Sequence, residues 1–91
     1  MEVGRYRKKP IEVDAVLFDG TRGASEALAV WAGGRSDREP WGPAWLVYLE
    51  TLEGTMVAQP GDYIIREPFP TSDRRFYPCK PNIFEATYDL I

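Results

Sequence analysis

The amino-acid sequence predicts an α+β fold, with one small curved antiparallel sheet or partial barrel and elements in the order β-α-β-β-β-β-α. Three observations favour this class: an early stretch of alternating apolar residues, an apolar stripe at helical spacing, and several short apolar runs separated by Gly and Pro. The chain has 91 residues. We expect a single domain over residues 1–91, because a second domain would have too little interior to be stable.

The first predicted strand spans residues 11–18, where apolar residues occupy the odd positions. The even positions begin as carboxylates and end as Val16 and Phe18, so we expect the far end of the strand to be buried on both faces. Asp19 and Gly20 then end it, because Gly accepts the positive φ that tight turns often require.

A short helix is predicted over residues 24–32. Its apolar residues recur at the spacing of one helix face: Ala24, Ala27, Leu28 and Trp31. This face should therefore lie against a sheet. Thr21 or Ser25 is expected to cap the start of the helix, and Gly33 with Gly34 is expected to end it in the left-handed conformation.

The middle of the chain is predicted to contain three strands. Residues 35–43 are polar and include Pro and Gly, so a loop is expected there. Trp45–Thr51 is the next strand, and residues 55–59 return as its hairpin partner after a Glu-Gly turn. A Pro-Gly turn then leads into a strand over residues 62–66.

The last third begins with a predicted loop over residues 67–73, followed by a strand over residues 75–77 and a helix over residues 82–88. Pro78 should end the strand or place it at a sheet edge, since Pro cannot donate a ladder hydrogen bond. Pro81 suits the first turn of the helix, where a backbone N–H has no helical partner in any case.

Composition and charge limit the classes of function. The net charge is −3 without a large basic excess, which disfavours nucleic acid as a partner. No apolar run approaches the roughly 20 residues that cross a bilayer, so no membrane span is predicted. The chain has no His, which removes His-based metal sites and the usual Ser–His and Cys–His pairs. We therefore predict no enzymatic activity, no metal and no cofactor.

Two further residues have a chemical and a structural interpretation. Cys79 is the only cysteine, which excludes an internal disulfide and fits a reducing cytoplasm. Lys80 beside it would favour the reactive thiolate, but a lone Cys without His is more often a small buried apolar residue, so we expect a structural role. Asp62 follows the Pro-Gly turn and is expected to accept backbone N–H bonds there, rather than to bind a cation with Glu50 or Glu53.

The predicted partner-binding residues are Trp41, Phe69, Arg74 and Arg75. Trp41 and Phe69 lie in loops that contain Pro, where burial of the ring is not forced. Arg38, Arg74 and Arg75 are near them in sequence, and Trp and Arg are enriched at interface hot spots. The alternative is that each loop folds back and buries its own aromatic ring.

A second candidate site would bind a small ligand or nucleotide. Arg7, Lys8 and Lys9 form the densest basic cluster, and Arg22 lies in a Gly-flanked turn before the helix, where backbone N–H groups can bind an anion. The alternative for the basic cluster is a solvated lead-in whose charges keep an edge strand from aggregating.

Three motifs carry a resemblance to a known family: residues 6–10 (YRKKP), residues 60–66 (PGDYIIR) and residues 76–88 (FYPCKPNIFEATY). In these stretches the chain resembles small phage and prophage accessory proteins with a PGDY motif. The motif positions have the character of turn formers, strand core and helix start. Residues 35–43 and 69–73 depart from the family pattern, and function is expected to differ there among members.

The resemblance implies a role inside an infected bacterium. Such proteins act in the host cytoplasm, commonly by binding a bacterial host protein and modulating or inhibiting it, and some sequester a signalling nucleotide instead. Separately, a sheet edge at residues 75–77 could pair with a second copy of the chain to form a homodimer.

Overall fold

The computed structural model describes residues 1–7, 10–68 and 75–91. Within them the elements are β1 (Asp14–Leu17), α1 (Arg22–Ala32), β2 (Arg35–Arg38), β3 (Trp45–Thr51), β4 (Gly54–Ala58), β5 (Tyr63–Glu67), β6 (Arg75–Cys79) and α2 (Pro81–Thr87). These two helices and two three-stranded antiparallel sheets make the described chain a mixed α+β fold. No helix in the described ranges is long and apolar enough to cross a membrane.

The strands form two sheets rather than the single curved sheet or partial barrel that the sequence predicted. Sheet A has the order β1-β5-β6, and sheet B has the order β2-β3-β4. The chain passes from sheet B to sheet A at the turn after β4, where Gly61 adopts a positive φ of 93°. Phe18 fixes the far side of this turn, because its N–H donates to the Asp62 carbonyl (2.9 Å) and its carbonyl accepts from the Gly61 N–H (2.7 Å). Strand β5 therefore pairs with β1 instead of extending sheet B.

The prediction of a loop over residues 35–43 was wrong for its first four residues, because Arg35–Arg38 forms β2. This strand is an addition to the expected order of elements. Strand β2 pairs with β3 along its whole length. It has no apolar residue to mark it as a strand, and its stability comes from the backbone ladder and from Ser36. The Ser36 and Ser25 hydroxyl oxygens are 2.6 Å apart, and the Ser25 hydroxyl donates to the Leu46 carbonyl (2.8 Å).

Helix α1 ends at Ala32 as predicted but begins at Arg22, two residues earlier than expected, and of the two N-cap candidates the cap is Thr21 rather than Ser25. The Thr21 hydroxyl accepts a hydrogen bond from the Ala24 N–H (3.2 Å), as an N-cap should. Gly33 takes the left-handed conformation, with φ of 66°. Helix α2 begins with Pro81, in the first turn where Pro was expected because a backbone N–H there has no helical partner.

The core lies between α1, sheet B and one face of sheet A. Its buried apolar residues are Phe18, Leu28, Ala29, Val47, Leu49, Ala58 and Ile64. Trp31 of α1 meets Phe76 of β6 edge to face, with ring centroids 5.2 Å apart, and so connects the helix to sheet A. Phe84 of α2 stacks on Tyr63 of β5 at 3.9 Å.

The predicted burial of β1 on both faces was wrong. Phe18 is fully buried just after the strand, but Val16 is 39% exposed and Leu17 is 51% exposed. The physical reason is the position of β1, which pairs only with β5 among the described strands and so forms an edge of sheet A. The predicted strand over residues 75–77 continues through Pro78 to Cys79, and β6 lies at the other edge of the sheet. Of the predicted loop over residues 67–73, Glu67 ends β5 and residues 69–73 lie outside the described ranges.

Candidate protein-binding site at a hairpin tip

The loop that joins β2 to β3, residues 39–44, presents Trp41 to solvent. A hydrogen bond from the Glu39 N–H to the Ala44 carbonyl (2.9 Å) closes the loop at its base. Pro40 and Pro43 restrict the backbone between these ends, since each proline ring fixes φ. Trp41 is 98% exposed, so the loop keeps its shape without burying the indole. Of the two alternatives for this ring, the structure favours exposure.

Gly42 provides a second internal contact of the loop. A Cβ atom built on Gly42 would overlap the Glu39 carboxylate, so the Glu39 side chain lies across the Gly42 backbone. Any larger residue at this position would displace that side chain. The polar group therefore packs inside the loop while the largest apolar group, Trp41, points away from the domain.

Arginine and aromatic side chains alternate at the base of the hairpin. The Arg38 guanidinium lies 5.9 Å from the Trp45 ring centroid, and the Arg22 guanidinium lies 5.2 Å from the same centroid. Arg35 lies 4.2 Å above Tyr48. Such cation–π contacts hold guanidinium groups in place while leaving some of their N–H donors accessible. Sequence reasoning noted Arg38 but missed Trp45, because its apolar strand context predicted only a core role.

Acidic neighbours balance these arginines. Arg22 forms an exposed ion pair with Glu26 one helical turn away (2.7 Å), and Arg35 pairs with Asp37 (3.1 Å). Exposed pairs of this kind contribute only about 0–1 kcal/mol and exchange readily with a partner's charges. The hairpin region is thus a mixed-charge surface around one protruding indole.

Arg75 lies at the opposite end of β3 from Trp41. It begins β6, its guanidinium is 3.3 Å from the Glu67 carboxylate, and it lines a cavity of about 260 Å³ with Leu52 and Glu53 of the β3–β4 turn. Strand β3 has seven residues and therefore spans roughly 20 Å. The structure does not bring Arg75 and Trp41 together, and the other two predicted binding residues, Phe69 and Arg74, lie outside the described ranges.

The residues of the small-ligand alternative belong to two parts of the chain, the stretch before β1 and the start of α1. Arg7 is exposed, Lys8 and Lys9 lie outside the described ranges, and Arg22 contacts Glu26 and Trp45. In the turn before α1, the Asp19 carboxylate accepts bonds from the Thr21 N–H (2.9 Å) and hydroxyl (2.8 Å), which lower the pKa of Asp19.

The Asp19 carboxylate consequently places a negative charge in the turn before α1. A fixed negative charge at this position repels phosphate, so the turn geometry gives the nucleotide alternative no support.

The surroundings of Cys79 disfavour its reactive thiolate form. Burial raises the pKa of its thiol, and the nearby Asp62 carboxylate raises this pKa further. The Lys80 ammonium, which sequence reasoning considered as an activator, lies 3.0 Å from an Asp62 carboxylate oxygen instead. No group of three or more His, Cys, Asp or Glu side chains among the described residues is arranged to hold a metal ion.

Asp62 has the turn-forming role that its sequence context predicted. Its carboxylate is nearly fully buried and accepts the Gln59 N–H (2.9 Å), while Asp62 donates its own N–H to the Gln59 carbonyl (2.9 Å). The two bonds close the turn between β4 and β5 from both sides.

A partly buried polar network that sequence reasoning missed links the C-terminal end of α2 to sheet A. The Tyr77 hydroxyl donates to the Glu67 carboxylate (2.7 Å), and the Tyr88 hydroxyl oxygen lies 3.4 Å from that of Tyr77. Burial raises the pKa of Tyr77 strongly, and the bond to Glu67 adds to the shift. Nothing in the local sequence distinguishes Tyr77 from an ordinary core aromatic, because its partner Glu67 belongs to the neighbouring strand.

Comparisons of the chain with models of known protein families, with curated proteins and with solved structures found no match.

Proposed function

We propose that this protein is a non-enzymatic binding module that docks onto another protein through the tip of the β2–β3 hairpin. The observation that carries the proposal is the exposure of Trp41 on a loop closed by its own backbone and side-chain contacts. A loop that is ordered before binding loses little conformational entropy on docking. Large aromatic side chains held in this way are typical interface anchors.

The energetic scale supports a dominant role for this side chain. An indole buries roughly 150–250 Å² in an interface, which at ~25 cal/mol per Å² corresponds to about 4–6 kcal/mol as an upper estimate. The partner should offer an apolar pocket for Trp41 and acidic or carbonyl oxygen atoms around it. Arg38 and Arg22, held on the faces of Trp45, can donate hydrogen bonds to such atoms.

From the family resemblance, we propose that the partner is a protein of a host bacterium, bound in the cytoplasm of an infected cell and modulated or inhibited by the contact. Phe69 and Arg74 remain proposed contributors. Arg75 contributes if the partner also covers the end of β3 that carries the β3–β4 turn. The small-ligand alternative, with Arg7, Lys8, Lys9 and Arg22, receives no support from the turn before α1.

The test compares variants at matched exposed positions. Trp41→Ala removes the proposed anchor, and Val30→Ala removes a similarly exposed apolar side chain from α1. Tagged wild-type protein and both variants are used for affinity purification from host lysate, and the captured complex is then quantified by native mass spectrometry. We expect Trp41→Ala to weaken capture of the partner that the wild-type protein binds by about 30–1,000-fold, whereas Val30→Ala retains it.

Thermal unfolding provides the control, because an exposed side chain should leave the melting temperature unchanged. Equal capture by wild-type protein and Trp41→Ala would refute docking through the hairpin tip. A bound mass of a few hundred daltons in place of a protein would favour the ligand-binding alternative.

A further inference from the structure

A groove of about 970 Å³ runs between the segment that leads into β1 and helix α2. It exists because α2 has only seven residues and stacks on β5 through Phe84 and Tyr63, which leaves the space toward β1 unfilled. The apolar residues that line it include Ile11, Val13, Tyr63, Phe84, Leu90 and Ile91. Leu90 and Ile91 are almost fully exposed, so the groove is an uncovered apolar surface.

The charged residues that line this groove in the described part of the chain are all acidic: Glu12, Asp14, Glu67 and Asp89. Asp14 is paired with Arg66, and Glu67 is paired with Arg75. The unbalanced negative charge therefore comes from Glu12 and Asp89, which are both exposed. An occupant of this groove should combine apolar side chains with basic ones.

The same chain carries a segment with this chemistry. Residues 1–7, here called the arm, have no helix or strand and are exposed at every position. The arm carries two basic side chains, Arg5 and Arg7, against one carboxylate, Glu2. It also carries the exposed apolar side chains of Val3 and Tyr6. The composition of the arm therefore matches that of the groove. Its apolar side chains suit the apolar floor, and its guanidinium groups suit the acidic rim formed by Glu12 and Asp89.

The backbone beside the groove is also available for pairing. Strand β1 pairs with β5 on one side, and no other strand in the described ranges pairs with its second edge. An extended segment can add to such an edge through main-chain hydrogen bonds, while its side chains alternate between the groove and solvent.

We propose that the arm of one copy lies in the groove of a second copy, so that two chains exchange arms in a symmetric dimer. Arg5 and Arg7 pair with Glu12 and Asp89 of the other copy, and Tyr6 covers its apolar floor. The arm is joined to the rim of its own groove at Pro10, which disfavours a tight reversal of the chain immediately before it. Two identical arm–groove contacts close the dimer, as two-fold symmetry requires.

The test is a charge exchange followed by sedimentation velocity over a range of protein concentrations. Arg5→Glu/Arg7→Glu makes the arm acidic, and Glu12→Arg/Asp89→Arg makes the rim basic. Each double variant alone places like charges in contact and should weaken the dimer by more than about a hundredfold. A mixture of the two restores opposite charges at both contacts and should form a heterodimer. High salt should weaken the wild-type dimer.

All four substituted side chains are exposed, so circular dichroism should show an unchanged fold. Trp41→Ala serves as the matched control and should leave the dimer intact, which separates this inference from the proposed docking function. A wild-type chain that remains monomeric at every concentration would overturn the proposal. A dimer that persists unchanged in both double variants would overturn it as well, since another surface would then hold the copies together.

Discussion

Replacement of Asp62 tests the turn by which the chain passes from sheet B to sheet A. Asp62 is almost fully buried, with 3% of its surface exposed. Its carboxylate accepts one hydrogen bond from a backbone N–H and others from an ammonium group. The first comes from the Gln59 N–H at 2.9 Å, and the shortest of the others comes from the Lys80 ammonium at 3.0 Å. Asp62→Ala removes both at once, whereas Lys80→Met removes only the ammonium and keeps most of the aliphatic chain.

The two losses differ in size. The Lys80 side chain is 53% exposed, so its ion pair should contribute only about 0–1 kcal/mol after solvent screening. The backbone N–H bonded to a charged acceptor is worth about 1.5–3 kcal/mol, and its loss leaves a donor without a partner inside the turn. We therefore expect Asp62→Ala to lower the free energy of unfolding by about 2–3 kcal/mol and Lys80→Met by less than about 1 kcal/mol.

Urea denaturation followed by tryptophan fluorescence measures both values under the same conditions. Asp62→Asn is the intermediate variant, because its amide oxygen can still accept the Gln59 N–H. If Asp62→Ala and Lys80→Met were equally destabilising, the ion pair rather than the turn hydrogen bond would hold this junction, and the reasoning would be wrong.

Two further predictions concern the backbone conformation of Gly61 and the partly buried hydroxyl of Tyr77. Gly61→Ala should destabilise the fold by about 1–2 kcal/mol in urea because φ is 93° there, whereas Gly23→Ala, in open space on α1, should be neutral or stabilising by up to about 1 kcal/mol; equal effects would contradict this account. The raised pKa of Tyr77 means that the folded state favours the neutral phenol, so stability present below pH 10 should fall as the pH rises above it. Tyr77→Phe should reduce that fall in alkaline melting curves, and an unchanged pH dependence would exclude Tyr77 as its source.

The sequence predicts local features of this fold well where one pattern determines them. Strand β3 has the predicted bounds, and Thr21 and Gly33 cap α1 as expected, because periodicity and capping depend on neighbouring residues. Strand β2 was missed because its Arg-Ser-Asp-Arg sequence contains no apolar signal and pairs through its backbone. The division into two sheets could not be predicted, because it depends on β5 pairing with β1 rather than with β4, and these pairings join residues that are far apart in the sequence.

The candidate site also has features that the sequence predicts and features that it leaves open. The sequence singled out Trp41 from its Pro-containing loop but left burial and exposure both open, and only the closed hairpin decides between them. The predicted grouping of Trp41 with Arg75 rested on residue type, on loops that contain Pro and on nearness in sequence to one aromatic ring each. Their separation along β3 follows from pairings across the sheets, which the sequence does not reveal.

The closure of the β2–β3 loop between Glu39 and Ala44 has an evolutionary consequence. The fold of the loop and the docking contact proposed above depend on different residues, because the hydrogen bond and the strand ladder below it form whatever side chain residue 41 carries. Substitutions of residue 41 can then accumulate without loss of the folded domain, whereas Pro40, Gly42 and Pro43 help to hold the loop in shape. A hairpin of this kind allows a small domain to change one exposed side chain at its tip by point mutation, while the residues that form the core stay the same.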